Sequence, residues 1–368
     1  MRVLYLLNFA GKGGTERYVE TLVRYLGEEY IEPFFVYHED GPLADKLRAM
    51  GVPCRRIEMR RRFDLPAAKA LAELCREWRI DLVHCQYLRE HYTALLAKRY
   101  APHIRVVYTH HILQSNDLIT RLSNRLLDHR QDMMLAVCSK GRDQLIANGW
   151  SPQRVRVVFN AVDETAWQGG ESTLRREIGA EDGRFLPLYA ARFVEGKGHA
   201  VLIDAMARLK ALTSLPFTLV LAGDGPLLEG AKQQAQTLGL GENVRFLGFR
   251  QDMKNLYRGA DLCVCPSQQE ALSFFLIESM ACGLPVVATD VGGNSDIVNP
   301  AAGDGLLVPY GDADALAAAV ARMMEDGAFR RQCSENALRT VHEKFEIHGW
   351  VEKTMDAYRA ALARKETL

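Results

Sequence analysis

The sequence lacks three features that would each indicate a particular class of protein. None of its 368 residues lies in an apolar run approaching the roughly 18 residues of a membrane-spanning helix. Its eight cysteines are scattered and form no Cys-x-x-Cys pair, which argues against a disulfide framework or a zinc site. Its 46 basic and 46 acidic residues cancel, and we expect no nucleic-acid partner. The cysteines therefore indicate reduced thiols and a cytoplasmic location.

Short β-branched segments alternate with amphipathic helical segments, which predicts parallel sheets covered by helices. The alternation breaks at residues 160–182, where turn residues indicate a linker, and then restarts. We therefore predict two Rossmann-like α/β domains, residues 1–163 and 164–345, with a cleft between them. The predicted strands are Val3–Leu7, Phe34–His38, Leu82–Cys85, Arg105–Thr109, Met134–Cys138, Val155–Phe159, Leu186–Ala190, Thr218–Ala222, Val244–Leu247, Leu262–Cys265, Pro285–Thr289 and Gly305–Val308.

Charge is distributed unevenly between the two halves. Residues 1–163 carry 25 Lys and Arg against 19 Asp and Glu, a net charge of +6, and the remainder carries −6 because the whole chain is neutral. A membrane surface or an anionic acceptor would explain this excess, and an ordinary solvated face would explain it equally well. The arginines concerned are Arg55, Arg56, Arg60, Arg61, Arg62, Arg121, Arg125 and Arg130.

The most informative segment is Cys265 to Ala288, which reads CPSQQEALSFFLIESMACGLPVVA. It predicts a strand, a loop holding Glu270, a helix that starts near Ser273 and carries Glu278, and a second strand. Carboxyl ends of parallel strands bind ligands, and a helix N-terminus favours a phosphate. Two carboxylates around an anion site suit a nucleotide sugar, although two solvated helix acids remain the alternative.

This segment resembles the Glu-x7-Glu motif of retaining glycosyltransferases of family 4, which have the GT-B fold. The resemblance implies that Glu270 lies by the donor sugar and that Glu278 holds the nucleotide ribose. It also implies that the C-terminal helix, residues 346–368, crosses back onto the first domain. A helix packed on the second domain alone is the other interpretation.

The segment ARFVEGKGH after the strand at Leu186–Ala190 looks like the Arg-x4-Lys-Gly element of the same family. Arg192 and Lys197 would then contact the donor phosphates and stabilise the leaving diphosphate. The alternative is that Arg192 is a surface residue and Lys197 a residue in the first turn of a helix. The segment VRFLGFRQDMKNLY resembles the element that cradles the nucleotide base, with Phe249 and Arg250 contacting it through backbone groups.

Two segments of the first domain match the family more loosely. The loop NFAGKGGTE is neither a Walker loop nor a complete GxGxxG, but the resemblance places Gly13 and Gly14 near the diphosphate or the acceptor. A plain tight turn is the alternative. The Thr-x-His of the family falls on Thr109 and His111, and His111 would donate or accept a hydrogen bond with a sugar hydroxyl or the acceptor.

The sequence departs from the family pattern after Glu270, where family members often carry Glu-Gly-x-Gly. Here the two glycine positions are Ala271 and Ser273, with Leu272 and Phe274 around them. Their backbone amides would bind hydroxyl groups of the donor sugar, and their side chains would narrow its pocket. The Asp-x-Asp at Asp312 predicts a helix cap, so we expect no metal requirement.

The resemblance thus implies a retaining glycosyltransferase that needs no cofactor and takes its sugar from a nucleotide-diphosphate donor, for which we expect a UDP-sugar. The acceptor would be a glycan or a lipid-linked glycan of the cell envelope, with peripheral membrane contact through the basic first domain. A nucleotide-sugar epimerase and a non-catalytic subunit that binds sugar nucleotides or glycans remain open as alternatives.

Overall fold

Strands and helices alternate along a computed structural model that describes residues 1–11, 13–27, 30–180 and 183–364. The chain divides into two units, Met1–Asn160 with His348–Leu368, and Ala161–Ile347. Each unit is built around one parallel sheet. The prediction of two Rossmann-like α/β domains is therefore confirmed.

The sheet of the first unit has seven parallel strands, which lie in the order β3-β2-β1-β4-β5-β6-β7. The strand order reverses between β1 and β4, and such a reversal is where open α/β sheets bind ligands. The strands are β1 Arg2–Phe9, β2 Glu32–Glu39, β3 Cys54–Arg56, β4 Leu82–Cys85, β5 Arg105–His110, β6 Met133–Ala136 and β7 Val155–Val157.

Helices cover this sheet, so its central strands are continuous apolar runs rather than alternating ones. The five residues from Val3 to Leu7 in β1 are all completely buried. The helices in this part of the chain are α1 Gly14–Leu26, α2 Pro42–Ala49, α3 Leu65–Glu77, α4 Leu88–Ala97, α5 Leu118–Leu127 and α6 Ser139–Ala147.

The sheet of the second unit has six parallel strands in the order β10-β9-β8-β11-β12-β13. Its order reverses between β8 and β11. The strands are β8 Pro187–Ala190, β9 Leu219–Ala222, β10 Val244–Phe246, β11 Leu262–Cys265, β12 Val286–Thr289 and β13 Gly305–Val308. The helices are α7 Glu164–Trp167, α8 Leu174–Glu177, α9 His199–Leu212, α10 Leu228–Thr237, α11 Met253–Gly259, α12 Phe274–Ala281, α13 Asn294–Ile297, α14 Ala313–Glu325 and α15 Gly327–Lys344.

The last helix, α16 Ile347–Ala363, packs on the first unit through a buried polar chain. The Tyr358 hydroxyl lies 2.7 Å from His84 Nδ1, and His84 Nε2 lies 2.7 Å from Thr109 Oγ1. Burial lowers the pKa of His84 to about 3, so its ring is neutral and bonds one partner as a donor and the other as an acceptor. The C-terminal helix therefore belongs to the first unit, as predicted.

Side-chain caps fix the start of two helices, and one of them moves a predicted strand boundary. The strand predicted at Met134–Cys138 ends at Ala136, because Cys138 Sγ accepts a hydrogen bond from the Gly141 N–H at 3.2 Å and begins α6. At the start of α14, Asp312 Oδ1 accepts the Ala315 N–H at 2.9 Å. The helix-capping role predicted for Asp312 is confirmed.

Glu90 is a carboxyl group buried in the first unit. Its side chain is fully buried, and Arg89 Nε lies 3.8 Å from its Oε1, beyond hydrogen-bonding distance. Burial raises the pKa of Glu90 to about 7. The folded protein therefore holds this proton more tightly than the unfolded chain does, and stability that is present below pH 4.5 is lost as the pH rises to 7.

We predict that Glu90→Gln, which mimics the protonated acid, stabilises the protein above pH 7 and has little effect at pH 4.5. The difference in free energy of unfolding between variant and wild type should grow by up to about 3 kcal/mol across this range. Urea unfolding at a series of pH values measures it, with Glu73→Gln on the exposed face of α3 as the matched control. A difference that does not change with pH would contradict the raised pKa.

Candidate functional site

Two neighbouring strands of the second sheet lead into the loops that carry the main predicted site residues. Residues 191–198 follow β8, and residues 266–273 follow β11. The two strands are hydrogen-bonded neighbours at the reversal of strand order. Because both are parallel, their loops leave the same edge of the sheet side by side.

Lys197 and Glu270 form an ion pair across these two loops. Lys197 Nζ donates a hydrogen bond to Glu270 Oε1 at 2.7 Å. The Glu270 side chain is 14% exposed and that of Lys197 is 29% exposed, so both stay within reach of a ligand. The structure thus brings together one cation and one carboxylate that the sequence analysis assigned to the donor.

Two further hydroxyl groups hold this ion pair in place. Ser267 Oγ donates to the same oxygen of Glu270 at 2.7 Å. The Tyr189 hydroxyl donates to the Lys197 carbonyl at 2.9 Å and lies 3.0 Å from Ser267 Oγ. Tyr189 and Ser267 are almost completely buried, so the orientation of the pair is set by the core of the unit.

Glycine at position 198 lets the two loops touch. Gly198 has a φ of 73°, and a β-carbon there would lie 2.0 Å from the Pro266 carbonyl oxygen. The Gln268 N–H donates to the Gly196 carbonyl at 2.8 Å in the same contact. The backbones of the two loops are therefore packed directly against each other.

Arg192 lies in the loop after β8, and it is exposed. The neighbouring loop after β9 fixes its backbone, since the Phe193 N–H donates to the Asp224 carbonyl at 2.9 Å. A β-carbon at Gly223 would lie 1.9 Å from the Ala191 carbonyl oxygen. Arg192 is thus an exposed cation on a constrained backbone, in the same loop as Lys197.

Glu278 lies on α12, and its side chain is buried. The residue is 2% exposed, and its Oε2 accepts a hydrogen bond from the Tyr257 hydroxyl of α11 at 3.1 Å. The carboxylate is therefore held between two helices of the second unit. The predicted contact of Glu278 with a nucleotide ribose stays a prediction.

Three residues lie between Glu270 and α12, and Phe274 is the first residue of the helix. Ser273 is the N-cap of α12, and its Oγ lies 3.4 Å from the Leu276 nitrogen. Leu272 and Ser273 are buried, whereas Ala271 and Phe274 are partly exposed. The helix starts one residue after the position expected from the sequence.

Phe249 and Arg250 follow β10 at the same edge of the sheet. Phe249 is 67% exposed. The Arg250 guanidinium donates to Asp252 at 2.7 and 2.5 Å and to Glu177 at 2.9 Å. Those hydrogen bonds raise the pKa of Arg250 and lower the pKa of Asp252. The Arg250 side chain is thus engaged by two carboxylates, which leaves its backbone for the predicted role.

Gly13 and Gly14 stand at the start of α1 in the first unit. The Gly13 N–H donates to Glu16 Oε2 at 2.8 Å, and a β-carbon at Gly13 would lie 2.5 Å from that oxygen. Glu16 is 8% exposed, so the carboxylate that accepts from Gly13 is itself buried. Gly14 is the first residue of the helix.

His111 follows β5 and lines a cavity of about 210 Å³ in the first unit. Its Nε2 lies 2.9 Å from Gln86 Oε1, and burial lowers its pKa to about 3. The ring is therefore neutral near pH 7, with the proton on Nε2 if Gln86 accepts. The cavity is also lined by Tyr87, Leu88, Tyr108, His110, Ile112, Gln114, Asn116, Leu145, Asn148 and Trp150.

The part of the chain that the structure describes contains no group of three or more His, Cys, Asp and Glu side chains placed to hold a metal ion. Within the same residues, none of the helices combines the length and the apolar character needed to cross a bilayer.

Sequence reasoning did not assign four residues that orient the predicted ones. These are Tyr189, Tyr257, Ser267 and Gln86. Ser267 sits three positions before Glu270, so its proximity to the motif was the available signal. The tyrosines come from other strands and helices, and only the fold brings them to the site.

The geometry defines a class of protein: two Rossmann-like units, of which the second holds a cation and a carboxylate at its strand-order reversal. Residues 171–340 match the family model described as "Glycosyl transferases group 1", and residues 12–166 match "Glycosyltransferase Family 4". The chain belongs to these glycosyltransferases.

Individual relatives agree with this assignment. The UDP-Gal:alpha-D-GlcNAc-diphosphoundecaprenol alpha-1,3-galactosyltransferase of Escherichia coli is 26% identical, over 90% of this chain and 90% of its own. The N-acetyl-alpha-D-glucosaminyl L-malate synthase of Bacillus anthracis is 27% identical, over 77% of this chain and 75% of its own. The crystal structure of HepE from Anabaena in complex with UDP has a TM-score of 0.87 and 22% identity, over 98% of this chain and 100% of that chain. This last similarity shows the GT-B fold.

The contact at Gly198 gives a test of the site's construction. We predict that Gly198→Ala lowers the free energy of unfolding by more than about 3 kcal/mol, because the new methyl group would collide with a backbone carbonyl. Gly196→Ala is the matched control: Gly196 has a φ of 80°, and a β-carbon there meets no atom within 4 Å. It should cost only the conformational strain of about 1–2 kcal/mol. Thermal unfolding compares the two, and equal losses would show that the loops do not pack as described.

Proposed function

We propose that the protein is a retaining, metal-independent glycosyltransferase that moves a sugar from a UDP-sugar to a glycan or lipid-linked acceptor in cell-envelope polysaccharide biosynthesis. The observation that carries this proposal is the ion pair of Lys197 with Glu270, 2.7 Å apart at the ends of β8 and β11. A phosphate binds beside a cation, and a sugar hydroxyl binds a carboxylate, so one donor molecule would engage both partners of the pair.

The relatives support the choice of donor and acceptor. The name of the Escherichia coli relative gives UDP-Gal as its donor and a diphosphoundecaprenol-linked sugar as its acceptor. HepE has also been crystallised with UDP-glucose. The name of the Bacillus anthracis relative contains L-malate instead, so the acceptor varies among proteins of similar identity. We therefore propose a UDP-sugar donor by analogy with the Escherichia coli relative and HepE. We propose a lipid-linked acceptor by analogy with the Escherichia coli relative alone.

We assign the donor contacts to the second unit. Lys197 and Arg192 would neutralise the diphosphate, and Glu278 would hold the ribose. The base would contact backbone groups of Phe249 and Arg250, which fits the engagement of the Arg250 side chain by Asp252 and Glu177.

Residues 271–274, at the start of α12, would hold the donor sugar. Backbone N–H groups of residues 271–274 would donate to its hydroxyl groups, and Glu270 would accept from one of them. The start of α12 adds the positive end of the helix dipole. Ala271, which is partly exposed, and Ser273 would then bound the sugar pocket where other family members carry glycine.

The proposed reaction retains the anomeric configuration. The acceptor oxygen attacks the anomeric carbon from the face of the leaving group, and the bond from that carbon to the phosphate oxygen breaks. The acceptor proton passes to the leaving phosphate oxygen, so UDP and the new glycoside are the products. Lys197 and Arg192 stabilise the negative charge that develops on the diphosphate, and no metal ion is needed for that task.

We assign acceptor contacts to the first unit. Burial lowers the pKa of His111 to about 3, so its ring is neutral near pH 7 and is a weak base. It therefore suits hydrogen bonding to a hydroxyl group better than proton abstraction. The Gly13 N–H is bonded to Glu16, so it would have to leave that carboxylate to bind an anion. The cavity beside His111 is lined by neutral amide and aromatic groups, which suits a sugar.

We also propose a cytoplasmic location with peripheral contact at the inner face of the membrane. All eight cysteines carry free thiols, which suits a reducing compartment. The excess of basic residues in the first 163 positions would attract the anionic lipids of that leaflet.

The donor site is tested by thermal unfolding with UDP, GDP, ADP and CMP in the presence of EDTA. We predict that UDP at a hundred times its dissociation constant adds about 2.7 kcal/mol to the free energy of unfolding of the wild type. Glu278→Ala should lose this gain, whereas the control Glu229→Ala, an exposed acid of α10, should keep it. Stabilisation by none of the four nucleotides, or equal stabilisation of both variants, would contradict the assigned site.

The reaction itself is tested by product analysis. We predict that Lys197→Met lowers kcat about 10²–10³-fold, because it removes a donor aimed at the charge that develops on the diphosphate. Proton NMR of the glycoside reads the anomeric configuration and checks retention. Release of an altered nucleotide sugar without a glycoside would favour an epimerase, and binding without turnover would favour a non-catalytic subunit.

A further inference from the structure

Helix α5 is amphipathic, but its polar side faces the protein and its apolar side faces solvent. This is the reverse of an ordinary surface helix. Its polar residues Thr120 and Asn124 are 1% and 0% exposed, and they face the protein. Its apolar residues point outward: Leu118 is 71% exposed, Ile119 75%, Leu122 50% and Leu126 75%. These four lie within about a third of the helix circumference at 3.6 residues per turn. We call them the α5 face.

The polar side of α5 is held firmly to the first unit. Asn124 Oδ1 accepts from the Tyr92 hydroxyl at 2.5 Å, and Asn124 Nδ2 donates to the Asn148 carbonyl at 2.7 Å. Thr120 Oγ1 accepts from Arg62 Nη1 at 2.5 Å. These hydrogen bonds satisfy groups that are otherwise buried, so the exposure of the apolar side follows from how the helix is anchored.

The basic segment identified in the sequence lies against this helix. The bond from Arg62 to Thr120 brings residues 60–63 to α5, and the Phe63 ring, 45% exposed, stacks on Tyr92 with centroids 4.8 Å apart. Arg61 is exposed in that segment, and Arg125 is exposed on α5 itself. Arg125 borders the α5 face, since it lies about 20° from Leu118 around the helix axis at 3.6 residues per turn, and Arg61 lies in the adjoining basic segment.

The nearby acids are occupied within the protein. Asp117 accepts the Thr120 N–H at 2.7 Å as the cap of α5, and Asp64 accepts the Ala67 N–H at 3.1 Å as the cap of α3. Asp128 lies 3.2 Å from Arg154. Asp117 and Asp64 keep their charge as caps, whereas Asp128 is paired with Arg154. The surroundings of the α5 face are basic because arginines outnumber acids in residues 60–64 and 117–127: Arg60, Arg61, Arg62, Arg121 and Arg125 stand against Asp64 and Asp117.

We propose that the α5 face inserts into the interfacial layer of an anionic bilayer, with Arg61 and Arg125 contacting lipid phosphates. An apolar helix face flanked by arginines is the pattern of helices that lie in the plane of a membrane surface. This inference deepens the membrane contact proposed above and rests on it. It adds insertion of specific apolar side chains to the electrostatic attraction proposed there.

The position of α5 in the chain links the membrane to the cavity of the first unit. Residues His111, Ile112, Gln114 and Asn116 line that cavity, and α5 begins two residues after the last of them. A lipid-linked acceptor presents its sugar at the membrane surface. Insertion of α5 would hold the cavity at the depth where that sugar is found.

Vesicle flotation of the full chain tests the proposal. Wild type should bind vesicles of phosphatidylglycerol and phosphatidylcholine, and Ile119→Gln/Leu126→Gln should lower the partition coefficient at least about tenfold. The control Leu212→Gln/Leu338→Gln removes equally apolar side chains, 53% and 44% exposed, from the second unit and should bind as wild type does. Because all four side chains are exposed, the melting temperatures should stay close to that of the wild type.

A second pair of variants separates insertion from charge. Arg61→Gln and Arg125→Gln should each lower binding about fivefold, and only on vesicles that contain phosphatidylglycerol. Equal vesicle binding of wild type and Ile119→Gln/Leu126→Gln, or no binding by wild type, would overturn the proposal. A concentration-dependent dimer that these glutamines abolish, without vesicle binding, would assign the α5 face to a second copy of the chain.

Stabilisation by UDP is measured on the same variants. This distinguishes a failure of the proposed donor site from a failure of the proposed membrane insertion. The α5 face lies outside the assigned donor site, and UDP should stabilise Ile119→Gln/Leu126→Gln as it stabilises the wild type. Loss of membrane binding with nucleotide binding retained supports the insertion element. Absence of nucleotide binding in wild type with membrane binding retained would count against the proposed donor and leave the α5 face in place.

Discussion

The reversal of strand order between β8 and β11 is the constraint on which the candidate site depends. It makes neighbours of two strands that are far apart in the sequence, and their loops emerge at one edge of the sheet. Gly198 allows the loop backbones to touch, and the contact brings Lys197 to within 2.7 Å of Glu270. The two side chains need to span only a short distance, because the contact between the loop backbones already places them side by side.

The assigned polar groups are mostly engaged with one another before any ligand is considered. Lys197 bonds Glu270, Arg250 bonds two acids, and Gly13 bonds Glu16. A ligand at such a site exchanges protein hydrogen bonds for new ones, and the net gain per exchange is modest. Selectivity then depends on how well the whole donor replaces the existing partners. Arg192 differs, because it is exposed.

The sequence was sufficient for the architecture and for the elements with strong apolar runs, such as β4, whose predicted and observed bounds are both Leu82–Cys85. It was insufficient for β3, which has three residues and exposed arginines and therefore no burial pattern. Helix α5 was not predicted either. Its apolar residues recur at helical spacing, but local pattern does not show that they face outward. Contacts such as that of Tyr189 with Ser267 depend on packing between distant elements, which local pattern does not encode.

The return of α16 to the first unit has a consequence for the order of folding during synthesis. Tyr358 completes the buried polar chain through His84 and Thr109, yet the whole second unit is translated before it. At 5–20 residues per second, this interval lasts roughly ten to forty seconds. During that time β1, β4 and their neighbours must remain without the helix that covers them. The second unit, by contrast, is continuous in sequence and can complete its core first, so the N-terminal unit of this chain would be the last to reach its native state.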